Sequence, residues 1–343
     1  SRKDKYFEIP LSGVGFENNW VNLQLSRGTE SWGAGEGINI LLNYESFPYN
    51  YFKMTSDYGR IRVAYLHGSL ESRPNLSNRF FTSKGIEFSN RRSFILSLSE
   101  SVIYSGKDRQ IEFGYINPIS QHLEVEWNDR LKVKGESSSN ACWQLSFEYL
   151  KNQIRLSGNF IIDEFVLDKD IQKNKKHAIA YSLRISKAVS LKNINNSLTL
   201  YTSFLKVGTP TFRHIEGNNN FVNNEFPLGW QNGSDGFEYN VGFNYFKISK
   251  YLIQFNSKFL FIGSFSIVNS PYEPYTTESY YISDFPSGEI EKKEITTINF
   301  FRRLGSIYSF NSNVSFDTKS FNFFELNCGF EFNFSLISRR NKI

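Results

Sequence analysis

Residues 324–336 read Phe324-Glu325-Leu326-Asn327-Cys328-Gly329-Phe330-Glu331-Phe332-Asn333-Phe334-Ser335-Leu336. Every even-numbered position is apolar, and the odd positions between them are Glu, Asn, Gly or Ser. A period of two sends successive side chains to opposite faces of a strand, so these residues meet two different solvents. At roughly 3.3 Å per residue the strand outruns the ~17–20 Å usual in globular sheets and approaches what a tilted strand needs to cross a bilayer.

One such segment is a weak signal, and repetition strengthens it. Phe237, Tyr239, Val241, Phe243 and Tyr245 share one parity, with Glu238, Asn240, Gly242 and Asn244 between them. Tyr251, Ile253, Phe255, Phe259 and Phe261 are set against Gln254, Asn256 and Lys258. Similar runs include Tyr308–Phe316, Ile179–Ile185 and Ile154–Phe160. The pattern predicts strands near 20–26, 37–43, 60–70, 79–89, 93–104, 109–117, 141–150, 152–163, 177–190, 197–207, 236–249, 250–266, 290–303, 305–317 and 320–336. Bacterial membrane barrels generally close with an even number, so about 16–18 strands are expected, with more in the N-terminal stretch or around Phe47 to Lys53. Some connectors are as short as Asn152-Gln153, whereas 208–235 and 267–289 are long. Short turns at one end and long loops at the other is the outer-membrane asymmetry. The segment 119–135 has no clean alternation and is expected to be a short helix or a folded loop.

Composition agrees with a closed antiparallel transmembrane β-barrel of a single domain, residues 1–343. Apolar residues are 40% of the chain and aromatics 17%, with 34 Phe and 19 Tyr. That balance suits strands that show lipid one face only, with aromatic girdles. No run of about 18 apolar residues marks a helical span. Barrels often exceed the usual domain size, so 343 residues need not divide. Ser1–Lys5 is charged and Tyr6–Leu11 is too short for the apolar stretch of a secretory signal, so a mature form without its leader is expected.

The 39 basic and 34 acidic residues are dispersed, which argues against nucleic acid as a partner. The Lys169–Lys176 cluster lies between strand patterns and reads as a solvated loop, and Arg339, Arg340 and Lys342 as a tail in water. Cys142 and Cys328 fit neither a disulfide framework nor a metal cluster. His67, His122, His177 and His214 have no ligand spacing, so neither metal nor cofactor is expected. Phosphate-loop, dinucleotide, zinc-protease and nucleophile-elbow signatures are missing, which argues against an enzyme. Asp163 and Glu164 are adjacent on a strand, point to opposite faces, and form no glycosidase pair by themselves.

Aromatic and amide side chains gather in the connectors: Trp32, Tyr44, Tyr49, Tyr51, Phe212, His214, Asn218, Asn219, Asn220, Trp230, Gln231, Asn232 and Asp235. Sugars present apolar C–H faces and many hydroxyls, so flat rings beside amides and carboxylates can make a glycan site. The plainer alternative is that the aromatics are girdle or lipid-facing residues.

At these connectors the chain resembles the Wzi-type capsule-assembly family of outer-membrane barrels. The resemblance rests on Trp32-Gly33-Ala34-Gly35 followed by Leu41-Leu42-Asn43, Glu100-Ser101-Val102-Ile103-Tyr104 followed by Tyr115-Ile116-Asn117-Pro118, Asp163-Glu164-Phe165, and Thr211-Phe212-Arg213-His214 leading into Pro227-Leu228-Gly229. It implies loops that occlude the lumen, a small helical element and a lectin-like, non-catalytic role. A clear helical bundle before the first strand is missing here.

The combined expectation is a non-enzymatic barrel in the bacterial outer membrane that binds and anchors capsular or related extracellular polysaccharide. Trp32, His214, Trp230, Gln231, Asn232 and Asp235 are the candidate contacts. Outer-membrane lipid and other outer-membrane proteins complete the expected surroundings. The rivals are a porin-like channel or accessory barrel of a transport complex, and a soluble all-β glycan-binding or hydrolytic domain whose apolar faces pack together.

Overall fold

A computed structural model of the chain describes residues 11–72, 78–117, 120, 125, 138–164, 176–191, 196–248, 250–276, 284–304, 308–317 and 324–332. The strands, in chain order, are β1 (Ser12–Glu17), β2 (Val21–Gly28), β3 (Tyr49–Asp57), β4 (Ile61–Ser69), β5 (Asn78–Ser89), β6 (Phe94–Gly106), β7 (Ser138–Lys151), β8 (Ile154–Glu164), β9 (Ala178–Ser190) and β10 (Asn196–Val207). They continue with β11 (Val222–Asn223), β12 (Phe226–Pro227), β13 (Gly236–Lys247), β14 (Tyr251–Gly263), β15 (Ile290–Arg303), β16 (Tyr308–Asp317) and β17 (Phe324–Phe332). All but β11 and β12 form one 15-stranded sheet in which each strand pairs antiparallel with its sequence neighbours. β11 and β12 make a small separate hairpin. No pairing joins β1 to β17 among the described residues.

The two faces of the sheet are inverted relative to a soluble protein. In β13 the polar Glu238 and Asn240 are 6% and 3% exposed, while Tyr239 and Val241 are 49% and 44% exposed. In β9, Ala180, Ser182 and Arg184 are buried while Tyr181, Leu183 and Ile185 are exposed. In β7, Gln144 and Ser146 are buried beside an exposed Leu145. Large apolar residues left bare in such number mark a surface made for an apolar neighbour. The polar face is the one that connectors 29–48 and 208–235 cover.

Connector length follows the same polarity. Adjoining strands are joined at one end by 18–20, 58–60, 90–93 and 152–153, and at the other by 29–48, 107–137, 208–235 and 264–289. Asn152 and Gln153 both adopt positive φ, 50° and 66°, as a two-residue hairpin turn between right-twisted strands requires.

The predicted strands at 37–43 and 109–117 are corrected. Ile38, Ile40, Leu41 and Leu42 are all buried, so this segment is enclosed on every side and belongs to no sheet face. Among the described residues its only bridge joins Trp32 to Leu42. Residues 113–116 form a one-turn helix, α1 (Phe113–Ile116), with Tyr115 stacked on Tyr104 at 4.3 Å. Tyr104 shares a parity with Phe80 and Val102, opposite to Phe81 and Ile103, so α1 lies on the otherwise bare face. In place of the two corrected segments stand β1, whose Gly13 and Gly15 mute the alternation, and β3, which covers most of Phe47–Lys53. Most of 119–135, all but Lys176 of 169–176, Phe165, Pro118, His122 and the C-terminal basic residues lie outside the described residues.

Candidate functional site

Connectors 29–48, 208–235 and 264–289 fold onto the polar face of the sheet and build a plug. Its apolar centre combines Ile40, Leu41 and Leu42 with Phe212, Phe221, Val222, Leu228 and Trp230. These pack on strand residues near the long-connector ends: Leu66, Phe81, Ile103, Cys142, Ile161, Ala180, Leu205 and Leu260. Each large buried side chain contributes on the order of 1.5–3 kcal/mol.

Polar staples fix the plug to the wall. Arg79 of β5 is 0% exposed. Its guanidinium donates to the carbonyls of Asn218 (2.6 Å), Asn220 (2.9 Å) and Val222 (3.0 Å) and pairs with Glu71 at 2.7 Å. Tyr272 lies 5.3 Å from the same guanidinium and donates its hydroxyl to Glu71. Burial, then the Glu71 carboxylate, push the Tyr272 hydroxyl up to about 12. Asp163 of β8 is buried and accepts the Phe212 N–H at 2.6 Å. That bond holds Phe212 at φ 74°, an unfavourable conformation for a bulky side chain. The strand-terminal carboxylate at 163 is therefore a staple.

A second set of contacts threads the first half of segment 29–48 along β7, β8 and β9. The Ala34 N–H donates to Asn159 Oδ1 at 2.7 Å, and Asn159 Nδ2 donates back to the Ala34 carbonyl at 2.9 Å. Gly35 N–H reaches Glu148 at 2.9 Å, Ser182 Oγ reaches the Ile38 carbonyl at 2.7 Å, and Arg184 reaches the Glu36 carbonyl at 2.8 Å. Segment and wall thus satisfy one another's backbone and side-chain polar groups, as burial demands. Gly229 permits the closest backbone approach in the plug, because a Cβ there would fall on the Ile40 carbonyl oxygen. The two strands of chain are joined by Trp230 N–H to Ile40 carbonyl (3.0 Å) and Asn43 N–H to Leu228 carbonyl (2.9 Å).

The six candidate contacts divide on this frame. Gln231 and Asn232 line a surface cleft of about 350 Å³ at the long-connector end, with Ser264, Asn269, Glu289, Glu291 and Lys293 around them. Gln231 is exposed and Asn232 half-buried. Lys293 pairs with Glu291 at 2.9 Å.

Trp230 and Asp235 flank this cleft in sequence but do not present themselves to a ligand. Trp230 is 4% exposed and its indole N–H donates to Glu238 at 3.1 Å, so its ring is core and cannot be stacked upon in this conformation. Asp235 is fully buried and accepts from Thr209 Oγ1 (2.8 Å), Ser287 N–H (3.0 Å) and Ser287 Oγ (2.6 Å). Both position the turn that carries Gln231 and Asn232.

His214 is half-buried elsewhere in the same connector; its N–H donates to Asn220 Oδ1 at 2.7 Å and its Nδ1 accepts the Glu216 N–H at 3.0 Å. Next to it, burial holds the Arg213 guanidinium below its ordinary pKa, and it donates to the Phe265 carbonyl at 2.8 Å and Ser270 Oγ at 2.9 Å. Trp32 belongs to the other half of the plug and lines a separate cavity of about 200 Å³. The amides Asn219, Asn220 and Asn223 are buried among plug contacts. No group of three or more His, Cys, Asp or Glu side chains suited to a metal ion occurs among the described residues.

Compared with known proteins, the chain is similar in structure to Wzi, described as an outer-membrane protein involved in group 1 capsule assembly in Escherichia coli and a carbohydrate-binding β-barrel. The TM-score is 0.62 at 10% sequence identity, over 94% of this chain and 78% of that one. BamA from Haemophilus ducreyi lacking POTRA domains 1–3 aligns with a TM-score of 0.43 at 8% identity, over 91% of this chain and 64% of that one. No protein-family model and no curated protein sequence matches the chain. At this identity the likeness to Wzi shows a common fold, an all-β sheet of the outer-membrane barrel type.

Proposed function

We propose that the chain closes into a barrel in the bacterial outer membrane and binds an extracellular polysaccharide at its long-connector mouth, without catalysing a reaction. The observation that carries the reading is the inversion of the sheet. Apolar side chains stand bare on one face while Asn, Ser, Glu and Arg are enclosed on the other, which is the arrangement lipid outside and a filled lumen inside would select. Fifteen consecutive antiparallel strands leave β1 and β17 running in the same direction, so closure takes either a parallel seam or one further strand.

At the mouth, the cleft of Gln231 and Asn232 offers amide donors and acceptors beside the Glu291–Lys293 pair. Such groups suit the hydroxyl pattern of a sugar. Trp230 and Asp235 act by holding the turn, and His214 is a further contact from the same connector. The carbohydrate binding described for Wzi supports this reading.

The test is the double substitution Gln231→Ala, Asn232→Ala. Surface-polysaccharide retention should fall while the yield of folded barrel stays at the wild-type level. Unchanged retention would remove these two residues from the site.

The porin-like alternative draws on the polar face of β13–β17, where Asn244, Gln254, Asn256, Asn299 and Asn313 lie toward the interior. Planar-bilayer conductance decides between the two, because the plugged reading predicts little steady current.

A further inference from the structure

We infer that the cavity beneath Trp32 is a second saccharide site, shaped for one uncharged sugar ring and opening away from the Gln231 cleft. This rests on the carbohydrate reading above but concerns different residues and the opposite mouth.

Trp32 is fixed by its backbone. Its N–H donates to the Leu42 carbonyl at 3.3 Å, and its carbonyl accepts from Gln144 Nε2 at 3.4 Å. The indole lies half-buried against β5 at Gly85, where an added Cβ would come within 2.9 Å of Trp32 Cζ2. Space for the ring is thus created by a missing side chain on the wall. A buried or half-buried indole N–H usually has a partner, and none is found for Trp32 among the described residues.

The remaining walls come from β3 to β6, including Lys53, Arg62, Ala64 and Glu87. Ala64 lies two residues from the core residue Leu66, on the side of the short turn 58–60, and Arg62 lies further along. The cavity therefore sits under the apolar core and faces the short-turn mouth.

Its charges are paired internally. Lys53 Nζ meets Glu30 at 2.7 Å, the Tyr51 hydroxyl donates to the same carboxylate at 2.7 Å, and Arg62 meets Glu87 at 3.5 Å. A charged ligand would compete with these pairs, and an apolar one would displace their hydration. A pyranose satisfies both demands, with its C–H face on the indole and its hydroxyls among the paired groups. The volume, about 200 Å³, is below the ~300–1,000 Å³ of pockets for larger ligands and suits a single ring.

The experiment uses the full chain in detergent micelles, in the Gln231→Ala, Asn232→Ala background so that the mouth is silent. Maltotriose, cellotriose, mannotriose and trigalacturonate are titrated by calorimetry and tryptophan fluorescence. At least one neutral trisaccharide should bind, at least tenfold more tightly than trigalacturonate. Ala64→Phe, which fills the cavity from β4, or Ser97→Tyr, which fills it from β6, should weaken that binding at least tenfold, and so should Trp32→Leu. The two filling variants come from different strands, so one that fails to fold leaves the other. Binding unaffected by a folded filling variant, equal binding of trigalacturonate, or no neutral binding in this background would each overturn the inference. If the unmodified chain binds a neutral trisaccharide and the background does not, the mouth reading stands while the second site falls. If no form binds any neutral sugar in solution, this inference alone falls, and cell-surface retention still tests the mouth independently.

Discussion

The polar face of the sheet carries amides throughout, but β7–β9 and β14–β17 use them differently. On β7–β9, Asn159, Ser182 and Arg184 bond the backbone of segment 29–48, and Gln144, bonded to Ser146 Oγ at 2.7 Å, reaches the Trp32 carbonyl at 3.4 Å. On β14–β17 the side chains meet other strands of the sheet: Gln254 with Asn244 at 3.4 Å, Asn256 with Tyr201 of β10, across β13, at 3.1 Å, Asn313 with Asn299, and Thr297 with Ser315 at 3.0 Å. The first sector is a socket cut for one piece of chain. The second is a wettable wall. An Asn-rich sequence therefore identifies the polar face of the sheet, and the partner of each amide decides whether it holds the plug or bonds another strand.

The comparison breaks first at Arg79. Arg79→Met strands several carbonyls and a carboxylate in a buried place, and removing one partner of such a network costs about 3–5 kcal/mol. Thermal unfolding in detergent should shift down strongly, with protease entering the 208–235 connector. Gly229→Ala forces a methyl onto the Ile40 carbonyl, and overpacking of this kind costs roughly 1–3 kcal/mol. Its signature should be protease sensitivity of both crossing segments. Asn159→Ala, in the socket, leaves the Ala34 N–H and the Ala34 and Ile38 carbonyls short of partners, at about 1–3 kcal/mol. Denaturant titration measures it. Asn311→Ala, an exposed position on the wettable wall, should stay within about 0.5 kcal/mol. Equal costs at 159 and 311 would erase the distinction between the sectors.

The wall was legible because its chemistry is written locally. Tyr239 and Val241 against Glu238 and Asn240 declare two faces without reference to anything distant. The plug is written in long-range contacts. Ile38, Ile40 and Leu42 alternate as a strand would, yet their burial comes from Trp230, Leu228 and residues of β8 and β9 far away in sequence. Trp230 looked like a platform because an indole beside Gln and Asn suits a sugar, and only its bond to Glu238 shows the ring committed to the core. Arg79 was missed, although a charge on the same parity as Phe81, at the start of a strand, was a signal that something inside must receive it. Gln231 and Asn232 line a surface cleft, as a long Gly- and Asn-rich connector advertises.

On the proposed reading, bare apolar residues face lipid and the polar face does not. In a background with Cys142 and Cys328 replaced by Ala, single cysteines at Leu183, Val241, Asn299 and Asn311 can be spin-labelled and the protein reconstituted into liposomes. Collisions with oxygen, which concentrates in the bilayer, should dominate at 183 and 241, and collisions with a water-soluble nickel chelate at 299 and 311. Nickel access at 183 and 241 equal to that at 311 would contradict the account.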